Sequence, residues 1–91
     1  MQDNIHNIVG TLSDWRVEGG ILTADFKFQD FTEVQNFVTA VMSVVDKADH
    51  HPSVTFDYNT VSIKTVTHEA GNKITEKDIL LARAISEISP G

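Results

Sequence analysis

The chain has 91 residues, with 13 acidic against 7 basic side chains, a formal net charge of −6 and no cysteine. The length and a hydrophobic content of 41% fit a single folded domain spanning residues 1–91 and argue against a disordered chain. Scattered basic residues argue against direct nucleic-acid binding, no apolar run is long enough to span a bilayer, and Met1–Asn4 lack the order of a signal peptide. We therefore expect a cytoplasmic protein without disulfides or thiolate metal sites, small enough for subunit pairing to add stability.

A β-hairpin is the first predicted element. Apolar and polar residues alternate from Ile21 to Phe28, which is the pattern of a strand with one buried face. Gly19-Gly20 before it predicts a tight turn, and Trp15–Val17 is the expected partner strand.

The apolar period then becomes helical. Apolar residues at steps of three and four define one helix face: Val34, Phe37, Val38, Val41, Val44, Val45 and Ala48. Asp30 and Glu33 resemble a capping box at the start. Pro52 forbids continuation, so the helix should end near Asp49.

A second pair of strands and a second helix follow. One face of these strands carries Val54, Phe56 and Tyr58, and then Val61, Ile63, Thr65 and Thr67. Asn59-Thr60 should join the strands as a tight hairpin, and Gly71–Lys73 should form the next turn. His68 is expected to close the last strand.

The second helix has start signals of its own. Thr75 with Asp78 forms a capping box, and Ile74 with Ile79 forms a hydrophobic staple. The predicted buried stripe is Leu81, Ala82, Ile85 and Ile88. The element order β-β-α-β-β-α predicts an α+β fold, a four-stranded antiparallel sheet with two main helices packed on one face.

Candidate chemistry is concentrated in histidine. Of four histidines, His50, His51 and His68 fall at predicted element ends, where a rigid scaffold presents side chains to ligands. Imidazole exchanges protons near neutral pH, so these residues suit general acid–base work. A structural interpretation stays open, because a histidine can simply stabilise a helix C-terminus or stand exposed at a strand end.

Other kinds of site find less support. Three histidines and a carboxylate could hold zinc or iron, but the spacings typical of histidine metal sites on helices are absent. The sequence also lacks the Gly-x-Ser-x-Gly elbow of serine hydrolases and the glycine patterns of phosphate and dinucleotide sites.

One motif carries a family resemblance. An acidic residue is followed after three spacers by His-His-Pro, then by an aromatic residue and a third histidine: Asp46, His50, His51, Pro52, Tyr58 and His68. Together with the Phe-x-Phe-x-Asp-Phe run at residues 26–31 and the final amphipathic helix, this pattern resembles pterin-4a-carbinolamine dehydratase. The resemblance covers Leu12 to Ile88, nearly the whole chain.

The resemblance implies the fold already predicted and a dehydratase reaction. Water would be lost from 4a-hydroxytetrahydrobiopterin to give quinonoid dihydropterin, in tetrahydrobiopterin recycling, without metal or organic cofactor. It also implies homodimers that can pair into homotetramers.

Site residues follow from the same resemblance. The implied catalytic residues are His50, His51 and His68, and the implied substrate-binding residues are Asp46, His50, His51, Pro52, Thr67, His68, Glu69 and Asp78. Within this set we expect His50 and His68 to move protons, His51 and Pro52 to hold the pterin, and Asp46 to orient His50.

Three points of the resemblance stay open at the level of sequence. This chain has one more residue between His68 and Asp78 than the family pattern, so Asp78 is either functional or only the cap of its own helix. Relatives in mammals also serve as a dimerisation cofactor for a transcription factor, so a protein-binding module using the helix Phe31–Ala48 is an alternative. A third alternative is the same fold acting on a molybdopterin-related ligand.

Overall fold

The structure is a computed structural model that describes residues 9–10 and 12–89, so Met1–Asn4 lie outside the described residues. The elements in chain order are β1 (Trp15–Glu18), β2 (Ile21–Lys27), α1 (Phe31–Ala48), β3 (Ser53–Phe56), β4 (Thr60–Thr65), a short 3₁₀ helix (His68–Ala70) and α2 (Glu76–Ile88). The predicted β-β-α-β-β-α order is confirmed.

The four strands form one antiparallel sheet in the order β1-β2-β4-β3. Gly19 and Gly20 both have positive φ, at 57° and 78°, which is what a two-residue hairpin turn between β1 and β2 requires. In the β2–β4 pairing, Leu22 lies opposite Thr65 and Ala24 opposite Ile63, so buried residues face each other across the strands.

The core lies between this sheet face and the two helices. The sheet contributes Leu22, Val61 and Ile63, all fully buried. The helices contribute most of the stripes that the periodicity predicts, with Val34, Phe37, Val41 and Val45 from α1 and Leu81, Ala82 and Ile85 from α2, and Ile79 is buried with them. Trp15 anchors β1 to the end of α2, because its indole N–H donates to Ser86 Oγ at 2.9 Å.

Both helices begin as the sequence predicts. At α1, Asp30 accepts a hydrogen bond from the Glu33 amide at 3.0 Å, although Glu33 accepts in return from the Gln29 amide rather than from Asp30. At α2, the Thr75 and Asp78 capping box is complete. Asp49 ends α1 in a left-handed conformation, with φ of 52°.

Several expected positions differ in the structure. Ala48 is exposed, and Ile88, Phe56 and Tyr58 are 38%, 53% and 72% exposed. Their positions match the apolar period, but they lie at element ends, at the edge strand β3 or, for Tyr58, in the turn that follows it. The turn between β3 and β4 comprises residues 57–59 rather than Asn59-Thr60, because Thr60 is already the first residue of β4. Asp57 Oδ1 stabilises this turn by accepting hydrogen bonds from the Asn59 and Thr60 amides.

Candidate functional site

The end of α1 sets the position of His50. Because Asp49 takes a left-handed conformation, the chain leaves the helix axis there and carries His50 towards the start of α2. The His50 side chain is only 11% exposed, and its Nε2 lies 2.6 Å from Asp78 Oδ1. His51, the next residue, is exposed.

The Asp78 carboxylate is fully buried and organises the polar cluster behind His50. Its Oδ1 accepts from the Thr65 hydroxyl at 2.5 Å as well as contacting His50. Its Oδ2 accepts from the Thr67 hydroxyl at 2.7 Å and from the Thr75 amide at 2.9 Å. One side chain therefore caps α2, fastens the end of the sheet to it and holds an imidazole.

The charge of Asp78 follows from these contacts. Burial disfavours the ionised carboxylate, but hydrogen bonds from Thr65, the Thr75 amide, His50 and Thr67 outweigh it and lower the pKa of Asp78 below its ordinary value. Asp78 is thus an anion at neutral pH. An anion at Nε2 accepts the Nε2 proton, so in neutral His50 the lone pair is on Nδ1.

The loop after β4 positions His68. The chain closes this loop through a bridge between Thr67 and Lys73, and Gly71 and Asn72 turn it with positive φ of 77° and 60°. His68 starts the 3₁₀ helix rather than closing a strand, since β4 ends at Thr65. Its Nδ1 lies 2.6 Å from Asn72 Oδ1, an acceptor, and Nε2 has no hydrogen-bond partner within the described part of the chain.

These elements enclose a small cavity. It has a volume of about 120 Å³ and is lined by Asp49, His50, His51, Val66, His68, Glu69 and Lys77. Lys77 Nζ lies 3.4 Å from Glu69 Oε2 across its exposed side. A hydrogen bond from its own backbone amide, followed by the contact with Lys77, lowers the pKa of Glu69, so the cavity carries an anion at its rim.

The structure brings together most of the residues singled out from the sequence. His50, His51, His68 and Glu69 line the cavity, and Asp78 and the buried Thr67 form the polar cluster behind it. Pro52 is half-buried and Asp46 is exposed, and neither is among the lining residues. Within residues 12–89, the carboxylate hydrogen-bonded to His50 is that of Asp78, not that of Asp46.

Sequence reasoning missed other residues of the site. Thr65 completes the hydrogen bonding around Asp78 beside the predicted Thr75 cap, Asn72 orients His68, and Lys77 lies at the rim of the cavity. A signal was present for Thr65, because a hydroxyl at a strand position with a buried face needs a polar partner inside the protein. Asn72 and Lys77 lie on the surface and carry no comparable signal.

Two observations bear on other kinds of site and concern only the described residues. None of their helices is both long enough and apolar enough to cross a membrane. Their histidine, aspartate and glutamate side chains form no group of three suited to a metal ion.

Comparison with known proteins assigns the family. The sequence profile described as Pterin 4 alpha carbinolamine dehydratase matches residues 1–88. The chain belongs to this family. A protein assigned by name to pterin-4-alpha-carbinolamine dehydratase in Thermomicrobium roseum is 38% identical over 85 residues, which is 93% of this chain and 90% of that protein. A similarly named protein of Cyanothece sp. is 39% identical over 85 residues, covering 93% of this chain and 87% of the relative.

Solved structures agree with the fold of this pterin dehydratase family member. A transcriptional coactivator/pterin dehydratase from Brucella melitensis superposes with a TM-score of 0.90 at 29% identity, over 99% of this chain and 97% of the other. A pterin dehydratase-like protein described as a RuBisCO assembly factor in the α-carboxysome has a TM-score of 0.70 at 19% identity, over 81% of this chain and 87% of that one. The second likeness shows the fold alone.

Proposed function

We propose that the protein dehydrates 4a-hydroxytetrahydropterin, such as 4a-hydroxytetrahydrobiopterin, to quinonoid dihydropterin by histidine acid–base catalysis. The observation that supports this most strongly is the arrangement of His50 and His68 on one cavity. Each imidazole has one ring nitrogen within hydrogen-bond distance of a protein oxygen. The other ring nitrogen, Nδ1 of His50 and Nε2 of His68, has no hydrogen-bond partner within the described part of the chain.

The reaction needs two proton transfers. The bond between C4a and the hydroxyl oxygen breaks, and an acid protonates the departing oxygen to give water. A base removes a proton from the neighbouring ring nitrogen, whose electron pair forms the new carbon–nitrogen double bond. Positioned imidazoles can perform each transfer, with accelerations of about 10²–10⁴-fold for such a group.

Asp78 supports this chemistry from behind His50. A histidine that takes up a proton becomes a cation, and the buried carboxylate at Nε2 stabilises that charge while holding the ring in one orientation. His68 has an amide partner, Asn72, which orients it without adding charge. In this proposal, exposed His51 and the rim residue Glu69 contact the pterin ring.

The test is a direct assay on enzymatically generated carbinolamine. The wild-type protein should accelerate dehydration over the spontaneous reaction, and His50→Ala and His68→Ala should each lose about 10²–10⁴-fold of that rate. His6→Ala, outside the motif, is the matched control and should keep the wild-type rate. Wild-type rates in both cavity variants, with folding verified by circular dichroism, would contradict the assignment of these residues.

A second candidate is a protein-binding module. It is favoured by the outward side of α1, where Met42 is 44% exposed, and by the coactivator in the description of the Brucella melitensis structure. A stable complex with a helical partner, together with no dehydratase activity, would support it.

Assaying molybdopterin precursors beside the carbinolamine tests the third candidate. Homodimer or homotetramer formation and a cytoplasmic location stay predictions.

A further inference from the structure

An apolar groove adjoins the histidine cavity. It lies between the last turns of α1 and the first turns of α2 and has a volume of about 410 Å³. Its lining residues are Val44, Lys47, Ala48, His50, Lys77, Leu80, Leu81 and Ala84. Apart from His50, its polar lining residues are the two lysines, and Leu80 in its wall is 57% exposed.

The groove and the histidine cavity share walls. His50 and Lys77 line both spaces. The cavity alone, at about 120 Å³, is well below the roughly 300–1,000 Å³ of ordinary small-molecule sites. The groove falls inside that range. A ligand of ordinary size whose reacting ring lies at His50 and His68 must therefore extend out of the cavity, and the groove is a neighbouring space that can receive it.

The charges at the groove are opposite to those of the whole chain. In a protein of net charge −6, two of the 7 basic residues, Lys47 and Lys77, line this one feature. A helix C-terminus favours a cation and so accounts for Lys47 at the end of α1, but a helix N-terminus disfavours one, and Lys77 lies in the first turn of α2. Lys77 contacts Glu69 only at 3.4 Å and in an exposed setting, which is a weak pairing.

We propose that the groove binds the substituent of an extended pterin, one whose side chain has an apolar aromatic segment and ends in a carboxylate. The apolar walls would contact the aromatic segment, and the lysines would face the carboxylate. This inference rests on the proposed function, since it assumes that a pterin ring occupies the histidine cavity. It names the class of substrate that the same site prefers.

Calorimetry with two stable pteridines tests the inference. The probes are 7,8-dihydrobiopterin, which has a short hydroxylated side chain, and 7,8-dihydrofolate, which has an aryl-glutamate side chain. Burying the aryl group and pairing one carboxylate should make dihydrofolate bind about tenfold more tightly or better. Because the charge pairing is exposed to solvent, this preference should fall as sodium chloride is raised.

Two groove variants locate the effect. Lys47→Gln should weaken dihydrofolate binding about three- to fivefold, and Leu80→Ser should weaken it to a similar or greater extent. Both residues line the groove and not the histidine cavity, so dihydrobiopterin affinity should stay as in the wild type. Lys64→Gln, the same change on an exposed residue of β4, is the matched control and should alter neither affinity.

The outcomes separate this inference from the proposed function. Equal affinities for the two probes, or a preference for dihydrofolate that is unchanged in both groove variants, would overturn the groove assignment. The dehydratase site would still stand if dihydrobiopterin bound the wild type and lost affinity in His50→Ala. Failure of both probes to bind, with no dehydration of the carbinolamine, would overturn the proposed function and the groove assignment together.

Discussion

Two carboxylates in this protein make similar hydrogen bonds in opposite settings. Asp78 is fully buried between β4 and α2, whereas the Asp25 side chain, on the sheet face away from the helices, is 49% exposed. Asp25 accepts from the Ser62 hydroxyl at 2.5 Å and from Arg16 at 2.7 Å, and these bonds lower its pKa as the corresponding bonds do for Asp78.

The difference lies in what each carboxylate replaces. Asp25 exchanges water for protein partners at the surface. The gain in stability is small there, because water solvates the carboxylate well when the protein partners are absent. Asp78 is buried away from solvent, so removal of its carboxylate would leave the Thr65 hydroxyl, the Thr75 amide and the His50 ring without the acceptor that they use among the described residues. Hydrogen-bond count therefore says less about a carboxylate's role than burial does.

Asp78→Asn should have the largest effect on both stability and dehydration rate. The amide keeps the shape but replaces an acceptor oxygen with a donor, so we expect a loss of about 1–3 kcal/mol in the free energy of unfolding. Dehydration should slow by on the order of 10²–10⁴-fold, because His50 loses the anion that fixes its tautomer. Urea unfolding and the carbinolamine assay measure the two effects.

Thr65→Val separates stability from chemistry in this experiment. It removes one hydrogen bond to Asp78 and leaves the His50 contact, so it should cost about 1 kcal/mol while keeping most of the activity. Wild-type kcat in Asp78→Asn, despite lower stability, would mean that Asp78 is only the cap of α2.

Acid titration of stability should show the same contrast with a smaller effect. The folded pKa of Asp78 is lowered, so the unfolded chain binds more protons in the acidic range and stability rises with pH there. The contribution is full above the unfolded pKa, about 4, and is lost as pH falls through the folded pKa. The free energy of unfolding, measured with urea from about pH 7 down to about pH 2, should therefore fall less steeply with decreasing pH in Asp78→Asn than in the wild type. An identical pH dependence in the two proteins would argue against an ionised Asp78 in the folded state.

Asp25→Asn should have the smallest effect. Its partners are solvent-exposed, so we expect a change of about 0.5 kcal/mol or less in unfolding free energy and no change in dehydration rate. Ser62→Ala is the paired control and should behave alike. A loss comparable to that of Asp78→Asn would show that exposure does not set the difference.

Much of the fold could be predicted from the sequence because local signals agree with the tertiary structure. The Gly19-Gly20 turn and the Thr75 cap each depend on a few neighbouring residues. The apolar periodicity was less informative about which residues are covered by a packing partner. It assigned Phe56 and Ile88 to buried faces, but it does not report where a sheet edge or a helix end lies beyond its packing partner.

The carboxylate next to His50 could not be predicted in the same way. Asp46 lies four residues before His50, and that spacing brings two side chains together only while the helix continues. The helix ends at Ala48, and the left-handed Asp49 redirects the chain, so the four-residue relation is lost. The contact with Asp78 joins residues 28 positions apart, and only the tertiary structure shows it.

The dual use of Asp78 also has a dynamic consequence. Because its Oδ2 binds the Thr75 amide while its Oδ1 contacts His50, the first turn of α2 cannot fray without releasing the imidazole. Opening of that turn and disassembly of the site are then one cooperative event, although helix ends usually open independently of the rest of a protein. Hydrogen exchange at the Thr75 amide would therefore report how often the histidine site is assembled.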